Sequence, residues 1–69
     1  MKRIHIESSN IESIGYDADS QTLEINFLNG SIYQYFDVPV NIYDDLIATD
    51  SHGKYFATYI KGIYRYSRV

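Results

Sequence analysis

Eight tyrosines and six Lys or Arg side chains are the groups in this 69-residue chain with most to offer chemically. Tyr33 and Tyr35 flank Gln34 in the middle of the chain. Towards the end, Lys54, Lys61, Arg65 and Arg68 interleave with Tyr55, Tyr59, Tyr64 and Tyr66. Cations neutralise phosphates and phenol rings stack on bases, so this mixture is what a nucleic-acid contact requires. The same spacing also fits a basic helix face that complements an acidic remainder. Ser51, the amides of a following helix start and Lys54 could together hold one phosphate. An ordinary helix cap at Ser51 is the commoner outcome of such a segment.

Other groupings carry less. Ser8-Ser9 has no nearby histidine or lysine to activate a nucleophile, and Ser8-Ser9-Asn10 reads as a turn. Asp17 and Asp19 have the spacing that opens a calcium loop, without the glycine and glutamate that complete one. Asp44-Asp45 fits a solvated helix face. His5 and His52 lie in separate segments, and with no cysteine in the chain no metal-ligand spacing arises. There is no P-loop, dinucleotide fingerprint or nucleophile motif. The expectation is a non-catalytic protein with neither metal nor cofactor.

Length and charge bound the reading. Sixty-nine residues make one domain, 1–69. So short a chain draws only ~3–5 kcal/mol of net stability from its core, and no disulfide is available to help. Burial of aromatic rings and self-association remain as sources of stability. The net charge of −3 hides an asymmetry. Residues 1–50 hold every Asp and Glu against Lys2 and Arg3 alone, whereas residues 51–69 hold Lys54, Lys61, Arg65 and Arg68 with no acid. No apolar run approaches a membrane span. The charged start, Met-Lys-Arg-Ile-His-Ile-Glu, lacks the apolar stretch of a signal peptide. The expected location is the cytoplasm.

The elements that must position these groups follow from periodicity. Arg3–Glu7 alternates charge with isoleucine and predicts a strand; Ile11–Tyr16 predicts a second, with Ile14 and Tyr16 on one face and Gly15 as a close approach or bulge. Leu23, Ile25 and Phe27 alternate with Thr22, Glu24 and Asn26 in a third strand, and Asn29-Gly30 turns it into a fourth. Val38-Pro39 ends that strand and opens a helix at its first position, with Ile42, Tyr43, Leu46 and Ile47 on one face. Thr49-Asp50-Ser51 caps a second helix, in which Tyr55, Phe56, Tyr59, Ile60 and Ile63 share a face and Lys54 and Lys61 nearly do; Gly62 stops it. The tail Ile63–Val69 is a short strand or an extended end. The fold class is α+β: an antiparallel meander of three to four strands, then two short helices packed on one face.

The hairpin admits two registers. A two-residue loop sets Tyr33 opposite Asn26 and Tyr35 opposite Glu24, with both tyrosines on the polar face. A three-residue loop, Leu28-Asn29-Gly30 with Gly30 left-handed, sets Tyr33 opposite Ile25 and Tyr35 opposite Leu23, and the tyrosines join the core. One slip flips every side chain. The second register is preferred because it takes Gln34 off the apolar face, although it moves Ile32 and Phe36 to the other side, so both faces read as partly covered.

The order SSNI (8–11), IGYD (14–17), LEINF (23–27), NG, YQYF (33–36), VP (38–39), SHGKYF (51–56) and IYRY (63–66) resembles the KTSC domain. That domain is named for its occurrence at the C-terminus of some lysyl-tRNA synthetases and also stands alone in small bacterial or phage proteins. The resemblance spans nearly the whole chain, and Tyr33, Tyr35, Val38 and Pro39 carry its most recognisable part. It implies no catalytic constellation and suggests RNA binding through the synthetase context. Three readings follow. The first is an RNA or single-stranded nucleic-acid module, with Lys54, Lys61, Arg65 and Arg68 on phosphates and Tyr33, Tyr35, Tyr64 or Tyr66 as stacking surfaces. The second is a small homo-oligomer that binds a nucleotide or other anion through the same tyrosines and Ser51–Lys54, as a phage or regulatory accessory protein. The third is a protein-docking domain that presents a tyrosine-rich face.

Overall fold

The computed structural model describes all 69 residues. Four strands run as a meander: β1 (Arg3–His5), β2 (Ile11–Asp17), β3 (Thr22–Phe27) and β4 (Ile32–Tyr35). Two helices follow, α1 (Val40–Ala48) and α2 (His52–Tyr59), and the chain returns as β5 (Tyr66–Arg68). The tail is therefore a strand. It pairs antiparallel with β4 and completes a five-stranded sheet in the order β1-β2-β3-β4-β5. Both helices pack on one face of it, as the α+β reading expects.

The hairpin closes over three residues. The Gly30 amide donates to the Phe27 carbonyl at 3.0 Å and the Phe27 amide to the Ser31 carbonyl at 2.9 Å. Gly30 takes φ +93°, a conformation that suits a residue without Cβ. The register is accordingly Leu23 with Tyr35 and Ile25 with Tyr33. On β2 a bulge at Glu12 shifts the pairing between Ile11 and Ser13. Ile11 and Ile14, three apart, would face opposite ways in a regular strand. The extra residue brings both into the core, where each is fully buried. The bulge, one of the two alternatives for Gly15, lies here instead.

The helix-covered face buries Ile14, Leu23, Ile25 and Tyr35 beneath Leu46 of α1 and Phe56 of α2, with Ile6, Ile11, Val38 and Ile60 around them. The entry into α1 is held from several sides. The Val38 amide donates to the Gln21 carbonyl at 2.9 Å. The Tyr16 hydroxyl donates to the Val38 carbonyl at 2.5 Å. The Tyr16 ring stacks on Tyr43 with centroids 4.7 Å apart. Pro39 stands just before the first helical residue, in extended conformation, rather than in the helix. Ser51 occupies the cap position of α2, but its side chain makes no capping bond. α2 also stops sooner than its spacing suggests, and Gly62 turns the chain with φ +79°. Helical periodicity no longer applies beyond Tyr59, so Ile63 is exposed rather than in the core.

The opposite face carries a polar row across the strands: Arg3, Gly15, Glu24, Gln34 and Ser67 stand side by side. Glu24 is only 8% exposed. Its carboxylate accepts from Gln34 Nε2 at 2.9 Å and from Arg3 Nε at 2.7 Å. Arg3 reaches it by crossing Gly15, where a Cβ would stand 3.2 Å from Arg3 Cγ and 3.1 Å from the Met1 side chain. Gly15 is thus a close approach, made by side chains. The Gln34 hydrogen bond, with Arg3 adding to it, holds the Glu24 carboxyl below its ordinary pKa against the opposing pull of burial.

Two outcomes follow for stability. Tyr16→Phe strands a carbonyl in the core and should cost about 1–3 kcal/mol in urea unfolding with an unchanged denaturant slope. A depressed carboxyl pKa contributes stability that is present above the unfolded value and lost as pH falls through the folded one. Unfolding midpoints measured from neutral pH down to the acid range should therefore fall less for Glu24→Gln than for the parent, although the variant starts less stable.

Candidate functional site

The register set at Gly30 puts Phe27, Tyr33 and Tyr35 on the helix-covered face, and β5 adds Tyr66 opposite Tyr35. The helices do not cover this end of the face completely. Between α2 with its following turn and strands β3, β4 and β5 lies an open cleft of about 520 Å³. Its walls are five aromatic rings in a closed circuit. Centroid separations are 5.8 Å for Phe27–Tyr33, 5.8 Å for Tyr33–Tyr66, 5.7 Å for Tyr66–Tyr35, 5.4 Å for Tyr35–Phe56 and 5.5 Å for Phe56–Phe27. Three of these contacts are edge-to-face, the arrangement ring quadrupoles favour.

The rings differ in access. Tyr35 is 5% exposed and forms the floor, while Tyr66 is 60% exposed at the mouth. Tyr33 and Phe27 are half-buried between them. Burial, with Tyr33 and Tyr66 adjacent, pushes the Tyr35 hydroxyl up to about 12, so it remains a neutral donor throughout the ordinary pH range. Lys61 lines the cleft from the turn after α2. Arg68 stands opposite Tyr33 in the sheet, its guanidinium carbon 5.9 Å from the ring centroid. The lining contains no Asp or Glu, although acids outnumber bases nine to six in the chain.

One end of the cleft is polar and is built by two turns. Asn10 from the β1–β2 turn and Asn29 and Ser31 from the β3–β4 turn line it. The turns are tied together by the Leu28 amide, which donates to the Asn10 carbonyl at 2.9 Å. Asn10 also lies over Gly53 of α2, where a Cβ would fall 2.7 Å from its Oδ1. The SSNI and SHGKYF segments, far apart in sequence, meet at this point.

Of the residues singled out by sequence, Tyr33, Tyr35, Lys61 and Tyr66 meet in the cleft, with Arg68 at its edge. Tyr35 gives a floor rather than a free stacking face. Arg65 lies elsewhere: it is paired across the sheet with Phe36, on the far face from Tyr35, its guanidinium sits 5.4 Å from the Phe36 ring centroid, and Nη2 bonds Asp37 at 3.1 Å. Tyr64 is half-buried and packs against the core. Lys54 and Lys61 do not share a face, because the helix ends between them. Ser51 and Lys54 do come together, in a separate shallow groove of about 220 Å³ with Tyr55 and Tyr59. Burial and then the nearby Asp45 carboxylate raise the Tyr55 hydroxyl pKa. A carboxylate beside that groove disfavours an anion there. Asn10 and Asn29 were missed as site residues because their turn-forming role accounted for them fully in sequence, and Ser31 was not singled out at all. The recurrence of polar side chains at both turns was the available signal.

Comparison with known proteins agrees with this architecture over its whole length. The profile of the KTSC domain matches residues 7–66. A crystal structure of a KTSC domain protein from Yersinia pestis superposes with a TM-score of 0.93 at 38% identity, covering 99% of this chain and 96% of that one. An uncharacterized protein of Stutzerimonas stutzeri is 40% identical over 100% of this chain and 99% of its own length. The lysine–tRNA ligase of a Nostoc species is 40% identical over 91% of this chain, but the aligned segment is only 11% of the ligase. Sharing sequence from Glu7 to Tyr66 and the fold from end to end, this chain belongs to the KTSC domain family.

Proposed function

We propose that this chain is a non-catalytic module that binds single-stranded nucleic acid, RNA foremost, in the cleft between α2 and the sheet. The observation that carries the reading is the cleft itself: a circuit of aromatic rings open to solvent, Lys61 and Arg68 at its margin, and no carboxylate in its lining. Its volume of about 520 Å³ falls within the range of small-ligand sites and suits one or two nucleotides. Tyr66 offers an accessible ring for a base, a stack worth roughly 1–3 kcal/mol. With only two cations close by, few phosphates are engaged, in keeping with the acidic character of residues 1–50. The family's presence as a small part of lysine–tRNA ligases supports an RNA partner. An appended weak binder raises the local concentration of RNA at a larger protein without chemistry of its own.

Anisotropy titration of the purified protein with a short labelled single-stranded RNA tests this. Two phosphate contacts imply binding about sevenfold weaker at about 200 mM salt than at about 50 mM. Lys61→Glu and Arg68→Glu should weaken binding and flatten that dependence. Tyr66→Ala should cost about 1–3 kcal/mol of affinity. Arg65→Glu, on the opposite face, should change little. Absence of binding at low salt, or equal damage from Arg65→Glu, overturns the reading.

A further inference from the structure

The polar end of the cleft has a defined hydrogen-bonding sense. Asn29 Oδ1 accepts from the Ser31 amide at 3.0 Å and from the Ser31 hydroxyl at 2.6 Å. A backbone N–H can only donate, so the oxygen of the Asn29 amide must face Ser31, and its NH2 remains for an outside acceptor. Asn10 is oriented indirectly, through the Ser8 hydroxyl. The Ser8 hydroxyl accepts from the amides of Asn10 and Ile11, at 3.4 Å each, and donates to Asn10 Oδ1 at 3.0 Å. The Asn10 oxygen is therefore engaged and its NH2 is available. Two asparagine amides at one end of the cleft thus present donors, the Asn29 oxygen being filled by two bonds from Ser31 and the Asn10 oxygen turned to the Ser8 hydroxyl. Ser31 Oγ, already donating to Asn29, retains capacity to accept one hydrogen bond. No carboxylate lines the cleft to accept more.

We infer that Asn10 and Asn29 select a base with carbonyl oxygens at both ends of its pairing edge, that is, uracil or its DNA counterpart thymine, over cytosine. Uracil offers O2 and O4 to the two amides and a single N–H, which Ser31 Oγ can accept. Cytosine places an exocyclic amino group where uracil has O4. Its two N–H bonds would face donors and be left partly unpaired on burial, which is how a hydrogen-bonding site rejects a near-isostere. The aromatic walls stack either base equally well, so the discrimination resides in the turns. This inference rests on the nucleic-acid reading above and assigns its base preference.

The test compares short oligo(U) with oligo(C), and oligo(dT) with oligo(dC), at one salt concentration, for the parent and for Asn29→Asp and Asn10→Asp. Each substitution keeps the oxygen that its serine partners and replaces the free NH2 with an acceptor. In whichever sugar series binds, the uracil-type strand should bind roughly tenfold more tightly than its cytosine partner, the size of one matched edge. The added negative charge weakens both strands alike, so the ratio is the readout, and in Asn29→Asp or Asn10→Asp it should collapse or invert. Equal binding of both members of a pair, or a ratio that neither substitution moves, overturns the base preference and leaves the nucleic-acid reading standing. Failure of all four strands to bind at low salt overturns both.

Discussion

A single left-handed residue, Gly30, sets the register in which β4 joins β3, and the two faces of the sheet are sorted by that register. With three residues in the turn, Tyr33 and Tyr35 fall opposite Ile25 and Leu23 on the covered side. Gln34 falls opposite Glu24 on the open side. β5 pairs only with β4 and so inherits the choice: Tyr66 joins the aromatic circuit, Arg68 comes to Tyr33, and Ser67 extends the polar row. A slip of one residue would exchange these sets entirely.

The two faces then do different work. On the open face, burial of Glu24 is tolerated because Gln34 and Arg3 together occupy its carboxylate, and Arg3 passes closely over Gly15, where a side chain would crowd it. On the covered face, charge is kept out of the cleft lining except at Lys61. The excess of acid therefore sits on exposed helix and turn positions such as Asp44, Asp45 and Asp19. The charge asymmetry along the sequence becomes a local asymmetry around one concavity, and half of the basic set, Lys54 and Arg65, is directed elsewhere.

Much of the fold was legible because local signals agreed with one another. Alternation marked the strands, Asn29-Gly30 the hairpin and Val38-Pro39 the passage to helix, and the family resemblance rested on these same segments. The register was legible only as a preference for the three-residue turn, which the structure bears out. Ile32 and Phe36 are half-buried on the open face, so neither alternative separates apolar from polar cleanly. The bulge at Glu12 left no mark because Ile11 and Ile14 merely look out of phase. The tyrosines and Lys61 of the cleft could be named from sequence. Their separation from Lys54, Arg65 and Tyr64 depended on where α2 ends and on which side of β4 each residue falls. Turn residues such as Asn10 and Asn29 acquire a second role only once two turns distant in sequence are bonded to each other.

Tyr35 and Phe56 belong at once to the hydrophobic core and to the floor and wall of the cleft. In a larger protein such double duty would be diluted. A single core of this size rarely supplies more than ~3–5 kcal/mol of net stability, and a ligand present at a hundred times its dissociation constant adds about 2.7 kcal/mol. If the cleft binds as proposed, its occupancy would therefore be comparable with the folding free energy itself. An unliganded domain would then open far more often than a liganded one, and a protease would distinguish the two states. On the proposed reading, the lifetime of the folded domain would report on the abundance of the ligand that fills the cleft.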